Sequence, residues 1–217
     1  MRYERKYEFN QGYEKVIRTF LKSKNFKKIF PDRRVNSLYY DTVDKQIYFD
    51  SINGLSNKFK VRVRFYNNNE NQNFEVGGFE IKRKYAELNK KDYLNSSESL
   101  LPLDFFSNEY FSKDLRFPSN FKNIYFPSVF ISYQRNYFLS HNKEIRITLD
   151  YDLELYKANK NSNYIFIGPK RVYEKNILEI KYQENHQPDF NFLEDLSKNF
   201  NLNLSRSSKY CNAVLLT

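Results

Sequence analysis

An alternation of charged and apolar residues returns in one segment of this chain after another, and it constrains the fold more than any other feature. In KFKVRVRFY, residues 58–66, Lys60, Arg62 and Arg64 share one face, opposite Val61, Val63 and Phe65. A period of two is the signature of a strand. The same pattern sets Arg2, Glu4, Lys6 and Glu8 against Tyr3, Arg5, Tyr7 and Phe9. It recurs as Glu80, Lys82 and Lys84; as Tyr133 and Arg135; as Glu144, Arg146, Thr148 and Asp150; and as Glu179 and Lys181. Taken singly, each such face is explained by water, because a half-buried strand turns its charges outward and needs no partner for them. Repetition favours another arrangement, a sheet that closes with its charged faces inward and its apolar faces outside.

The outer faces would then need cover, and two segments of helical period supply it. Tyr13, Val16, Ile17, Phe20 and Leu21 recur at helical spacing after Gly12, and Phe192, Leu193, Leu196 and Phe200 do so after Pro188. Further strands are expected at residues 35–42, 46–50, 74–85, 128–138, 144–156, 164–167 and 172–182. Polar hairpin loops are expected at Asn67–Asn73 and Lys157–Asn163. Between Asp92 and Pro127 the period is lost, and short helices packed outside the sheet are expected. Residues 204–214 read as a short terminal segment that returns to the body of the fold. With no repeat and no linker, residues 1–217 read as a single domain.

The 19 Tyr and 21 Phe with only five Gly favour long strands, and a formal charge of +10 favours anionic partners. A single cysteine, Cys211, excludes an internal disulfide framework and fits a reducing compartment. No apolar run approaches the roughly 20 residues of a membrane helix, and the chain opens on Arg2, Glu4, Arg5 and Lys6. The expectation is a cytoplasmic protein without a membrane span. Nucleic-acid readers gather their cations on loops or helix faces, whereas these alternate along strands, so no nucleic-acid partner is expected. The helix cations Lys15, Arg18, Lys22, Lys24, Lys27 and Lys28 read as a solvated face, with a membrane surface or an acidic partner as the alternative.

Cations gathered inside a barrel repel one another and lose solvent, so the interior calls for an anion. Phosphate chains suit it, because an Arg fork grips two oxygens while Lys supplies a point charge. Arg62, Arg64, Arg135 and Arg146 are the candidates. Glu4 and Glu179 would repel a polyanion unless a hard divalent cation, Mg²⁺ or Mn²⁺, stood between. Glu179 paired with Lys181 or a neighbouring Arg is an equally open reading.

The ordered segments RYERKYEF, SLYYDT, KVRVRFY, EIKRK, YQRNYF, EIRITLDYDL, ILEIKY and SRSSKY resemble the VTC domain, the catalytic module of the vacuolar transporter chaperone family and its bacterial relatives. That family belongs to the triphosphate tunnel metalloenzymes. The resemblance implies an α+β fold, an eight-stranded antiparallel β-barrel with flanking helices. It also implies a polyphosphate polymerase, a phosphotransferase that moves the γ-phosphate of ATP onto inorganic polyphosphate with manganese or magnesium. On this resemblance the catalytic residues are Lys6, Arg62, Arg64, Lys82, Arg135, Arg146 and Lys209. Tyr133, Arg206, Ser208, Lys84 and Lys181 would contact substrate, and Glu179 with Glu4 would hold the metal. Arg2 stands where the related CYTH enzymes carry a first acid, which favours the VTC branch. The family's phosphate-sensing domain and membrane helices have no counterpart in these residues, so any coupling to a membrane would come from a separate membrane protein. A tripolyphosphate or nucleoside triphosphate hydrolase and a non-catalytic polyphosphate-binding module are the alternatives.

Overall fold

The alternating segments become strands, and the computed structural model describes residues 2–67, 74–85, 88–94, 125–161, 164–186 and 188–217. In chain order the first half contains β1 (Arg2–Asn10), α1 (Glu14–Ser23), β2 (Lys27–Lys28), β3 (Arg33–Asp41), α2 (Gln46–Ile52), β4 (Asn57–Asn67), β5 (Phe74–Tyr85) and β6 (Leu88–Leu94). The second half contains β7 (Phe126–Leu139), β8 (Arg146–Asn161), β9 (Tyr164–Ile167), β10 (Arg171–Tyr173) and β11 (Lys175–Gln183). It ends with a 3₁₀ turn (Glu184–His186), α3 (Phe190–Phe200), β12 (Asn203–Leu204) and α4 (Lys209–Leu216).

The chain divides into two compact units. The first comprises Met1–Arg33, Tyr133–Leu153 and Val172–Ser207, and the second Arg34–Ser132, Glu154–Arg171 and Ser208–Thr217. In the first unit the strand order is β12-β1-β11-β8-β7, with β2 added along β7. One face is apolar. Tyr7 and Phe9 of β1, Leu178 and Ile180 of β11, and Ile147 and Leu149 of β8 cluster with Ile17 and Leu21 of α1 and Leu193, Leu196 and Phe200 of α3. The two helices cover one side of the sheet, as their apolar stripes require.

Local chemistry fixes where those helices begin and end. Gly12, at φ +92°, turns the chain into α1, and its N–H donates to the Glu14 carboxylate at 3.1 Å. Asp189 caps α3 by accepting from the Asn191 N–H at 3.3 Å, and Asn201, at φ +48°, ends the helix in the left-handed region.

In the second unit the order is β7-β3-β4-β5-β6, and β3 with β4, β4 with β5 and β5 with β6 pair antiparallel. Leu38, Val63, Tyr40, Val61 and Ile81 fall on one face by register and are buried. Ser37, Tyr39, Arg62, Arg64 and Glu80 fall on the other.

Several expectations are corrected. Among the described residues the sheet has twelve strands whose order is an open path with β12 and β6 at its ends, so the eight-stranded closed barrel is not what they form. A period of two assigns each residue to a face but says nothing of which edges meet. Residues 46–50, expected as a strand on their Ile-Tyr-Phe run, form α2. The Asp41 carboxylate accepts from the N–H groups of Ile47 at 2.9 Å and Tyr48 at 3.1 Å, and Thr42 Oγ1 accepts from Gln46 N–H at 2.9 Å. Satisfying the first-turn donors outweighs the β-propensity of the side chains.

The loop expected from Lys157 is shorter than drawn, because β8 runs on to Asn161 and pairs with β9. The terminal segment winds into α4, capped by Ser208. The helices expected between Asp92 and Pro127 fall mostly outside the described residues, and Asp92–Leu94 belong to β6. No helix among the described residues is long and apolar enough to cross a membrane.

Candidate functional site

Each unit carries one charged face. In the first unit the register sets Lys6 opposite Glu179 and Glu179 opposite Thr148. The next row sets Glu4 opposite Lys181 and Lys181 opposite Arg146. Cross-strand partners point to the same side of a sheet, so these six residues form a ladder of mixed charge on the face away from α1 and α3. Along each strand the charges also pair: Lys6 Nζ lies 3.0 Å from Glu4 Oε1, and Lys181 bonds Glu179. The pairing of Glu179 with Lys181, open from the sequence, is therefore present.

The row above holds Glu8, Ile177 and Asp150. Asp150 is fully buried and grips Arg135 of β7 with both oxygens, Nε to Oδ1 at 2.5 Å and Nη2 to Oδ2 at 2.6 Å. The Arg135 guanidinium also lies 5.1 Å from the Tyr133 ring centre and 5.7 Å from that of Tyr137. Burial works against its charge, but Asp150 more than offsets this and holds the proton more firmly than usual. Sequence reading assigned Arg135 to phosphate. The structure gives two of its donor groups to an internal carboxylate.

A hard divalent cation takes carboxylate and hydroxyl oxygens, and commonly leaves most positions to water and substrate phosphates. Thr148 Oγ1 is buried without a hydrogen-bond partner among the described residues, beside Glu179 in register. Glu4 is the diagonal neighbour of Glu179 across β1 and β11. This donor set suits such a cation. No group of three or more His, Cys, Asp or Glu side chains able to hold a metal occurs among the described residues, so water and substrate phosphates would complete the shell.

In the second unit, Arg62 donates from Nε and Nη2 to Glu80 Oε2 at 2.8 and 2.5 Å, and from Nη1 to the Tyr39 hydroxyl at 3.0 Å. Arg64 Nε donates to Ser37 Oγ at 3.4 Å, at a point where the pairing of β4 with β5 shifts register. Lys60, Lys82 and Lys91 are cross-strand neighbours, and so are Lys58 and Lys84. Burial raises the carboxyl of Glu80, but the guanidinium groups of Arg62 and Arg64 and the Lys91 ammonium pull it down to about 2. Burial likewise raises the Tyr39 phenol, and Arg62, Arg64 and Lys60 bring it down to about 7.

Helix α4 meets this face. The Tyr210 ring stacks on Tyr39 with centres 5.3 Å apart, and its hydroxyl donates to Asp41. Lys60 Nζ donates to Ser208 Oγ at 2.5 Å, while the same oxygen accepts from Cys211 N–H at 3.3 Å. Lys209 is the first residue of α4. Arg206 is exposed in the link from β12.

Of the residues expected from sequence, Glu4, Lys6, Arg146, Glu179 and Lys181 share one face. Tyr133 and Arg135 join it through Asp150. Arg62, Arg64, Lys82, Lys84, Ser208 and Lys209 belong to the second unit. Sequence reading missed Tyr39, Asp41, Glu80, Asp150 and Tyr210 as partners of these groups. A signal existed for two of them, since Ser37, Tyr39 and Asp41 fall on one side of SLYYDT.

The sequence profile of the VTC domain matches residues 1–217, and the chain belongs to the VTC-domain family. That family makes it a protein of the polyphosphate- and triphosphate-handling tunnel class. No curated protein matches it significantly. Similar solved structures include a candidate adenylate cyclase from Vibrio parahaemolyticus, 13% identical with a TM-score of 0.49, the match covering 99% of this chain and 98% of that one. Another is a candidate adenylyl cyclase from Hippeastrum described as having a dominant triphosphatase activity, 11% identical with a TM-score of 0.49, covering 97% and 93%.

Proposed function

We propose that this protein is a metal-dependent polyphosphate polymerase, working in the cytoplasm, which transfers the γ-phosphoryl group of ATP to the end of an inorganic polyphosphate chain. The observation that supports this reading is the ladder Lys6–Glu179–Thr148 and Glu4–Lys181–Arg146, which brings cations and carboxylates together on one face. The family match over the whole chain supports it. In the transfer, a terminal polyphosphate oxygen bonds to the γ-phosphorus, the bond from that phosphorus to the β–γ bridging oxygen breaks, and ADP leaves with the electron pair.

Catalysis of this kind is positioning and charge neutralisation. In the first unit, Lys6 and Arg146 bear on the transferring phosphoryl oxygens, with Lys181 and Arg206 as further phosphate contacts. The face of the second unit offers phosphate Arg62, Arg64, Lys82, Lys84, Ser208 and Lys209. Arg135 acts by holding Asp150 and the Tyr133 ring in place. Glu179 and Glu4 would hold Mn²⁺ or Mg²⁺, which supplies Lewis-acid neutralisation of phosphate charge when bound.

The test is to incubate the protein with ATP and Mn²⁺, with and without a short polyphosphate primer, and to size the products. Growing chains are expected, lost in Glu179→Ala. Release of free phosphate alone would establish the hydrolase instead, and tight polyphosphate binding without turnover the binding module.

A further inference from the structure

Beyond the ladder, the charged face of the first unit runs on into a cavity of about 130 Å³ lined by Lys143, Glu144, Arg146, Lys181, Gln183 and His186, with Leu139 and Tyr182. The ladder's last registered row is Glu4, Lys181 and Arg146, and Gln183 is the partner of Arg2 one row further on. Arg146 and Lys181 thus belong to both the ladder and the cavity. With roughly 30 Å³ for each water, the space holds about four waters, the scale of a phosphoryl group and its hydration.

The charges around this cavity do not cancel. Its one carboxylate, Glu144, is engaged on both oxygens, by His186 Nδ1 at 2.8 Å and by Asn142. Lys181 bonds Glu179. Among the described residues, neither Lys143 nor Arg146 has a hydrogen-bonding or ionic side-chain partner. Elsewhere on this face Lys6 is paired with Glu4 and Arg135 with Asp150. Two unpaired cations beside a polar recess, at the end of a ladder of phosphate-gripping groups, call for an anion that continues along the ladder.

We propose that this cavity is a phosphate subsite for linear inorganic polyphosphate, taking a phosphoryl group beyond those that the ladder holds. Lys143 and Arg146 supply its charge, and the bond from His186 keeps the Glu144 carboxylate turned to the imidazole. The subsite gives the protein a preference for long chains over short ones, since only a chain that outruns the ladder reaches it. It rests on the polyphosphate reading.

The test is calorimetric titration of the full chain at low salt with orthophosphate, tripolyphosphate and long-chain polyphosphate, for the wild type and for Lys143→Glu. Lys143 sits on an exposed turn at φ +62°, so its replacement leaves the core intact. Lys143→Asn serves as a second variant, because Asn suits left-handed backbone and removes the charge without reversing it. One lost charge-assisted contact predicts a weakening of about tenfold for the long chain in Lys143→Glu, and a smaller loss in Lys143→Asn. Tripolyphosphate binding and unprimed ATP consumption should not change.

Equal long-chain affinity in wild type and Lys143→Glu would overturn the subsite and leave the polymerase reading standing. An equal loss for tripolyphosphate would overturn it too, as would saturation by orthophosphate at the same concentrations. A wild type that binds no polyphosphate and does not use ATP would remove the polymerase reading itself, and the subsite with it.

Discussion

Replacing Tyr39 by Phe removes a phenol that the second unit holds as an acid far stronger than usual. Its hydroxyl accepts from Arg62 Nη1 at 3.0 Å, and the side chain is almost wholly buried. Burial pushes its pKa up, and Arg62, Arg64 and Lys60 overcome this to leave it at about 7. An unfolded tyrosine titrates near 10, and each pKa unit is worth roughly 1.4 kcal/mol. Because the folded value is depressed, the contribution to stability is full above about pH 10 and is lost as pH falls through about 7.

The full contribution is on the order of 4 kcal/mol, and about 2 kcal/mol of it is present at pH 8.5. Urea unfolding of wild type and Tyr39→Phe at pH 6, 7.5 and 8.5 isolates this term, since the other titrating groups are common to both. The wild type's advantage should grow by about 2 kcal/mol between pH 6 and 8.5, with phenolate absorbance rising near neutral pH in the folded wild type alone. A difference that stays flat across this range would refute the idea that the three cations ionise Tyr39.

Two further outcomes follow from the buried carboxylates. Asp150→Asn leaves Arg135 buried against an uncharged partner and should cost about 3–5 kcal/mol in urea unfolding, while Asp150→Asn with Arg135→Met recovers part of the loss. Glu80 has its carboxyl at about 2, so its contribution is present above the ordinary carboxylate range and disappears as pH falls through about 2. The stability gap between wild type and Glu80→Gln should therefore be about 3 kcal/mol at pH 6 and close toward pH 2.

The side of each strand was legible in the sequence, and so were α1 and α3. Their signals are periodic, and burial of Ile17, Leu21, Leu196 and Phe200 against Leu178 and Ile180 is what periodicity measures. What was hidden depends on pairing. The run QIYFD reads as strand until Asp41 and Thr42 are seen to satisfy the donors of a helix. A two-residue strand such as β12 has no period to detect, so the open path of the sheet could not be read. Glu80 and Asp150 were visible as charges on the right face, but their partners Arg62 and Arg135 lie 18 and 15 residues away, and only register brings them opposite. The carboxylate partners of Arg62 and Arg135 were therefore not foreseen, because a period of two does not say which residues meet across strands.

The register of β1 on β11 also governs how such a chain can change over generations. Tyr7 and Phe9 belong to the core because Glu4, Lys6 and Glu8 do not. Adding or losing one residue within β1 would exchange the two sets at a stroke, sending aromatic rings to the ladder and charges under the helices. Substitutions on either face can accumulate one at a time, whereas length changes inside these strands are closed to the lineage. Growth and shrinkage are left to the connecting segments.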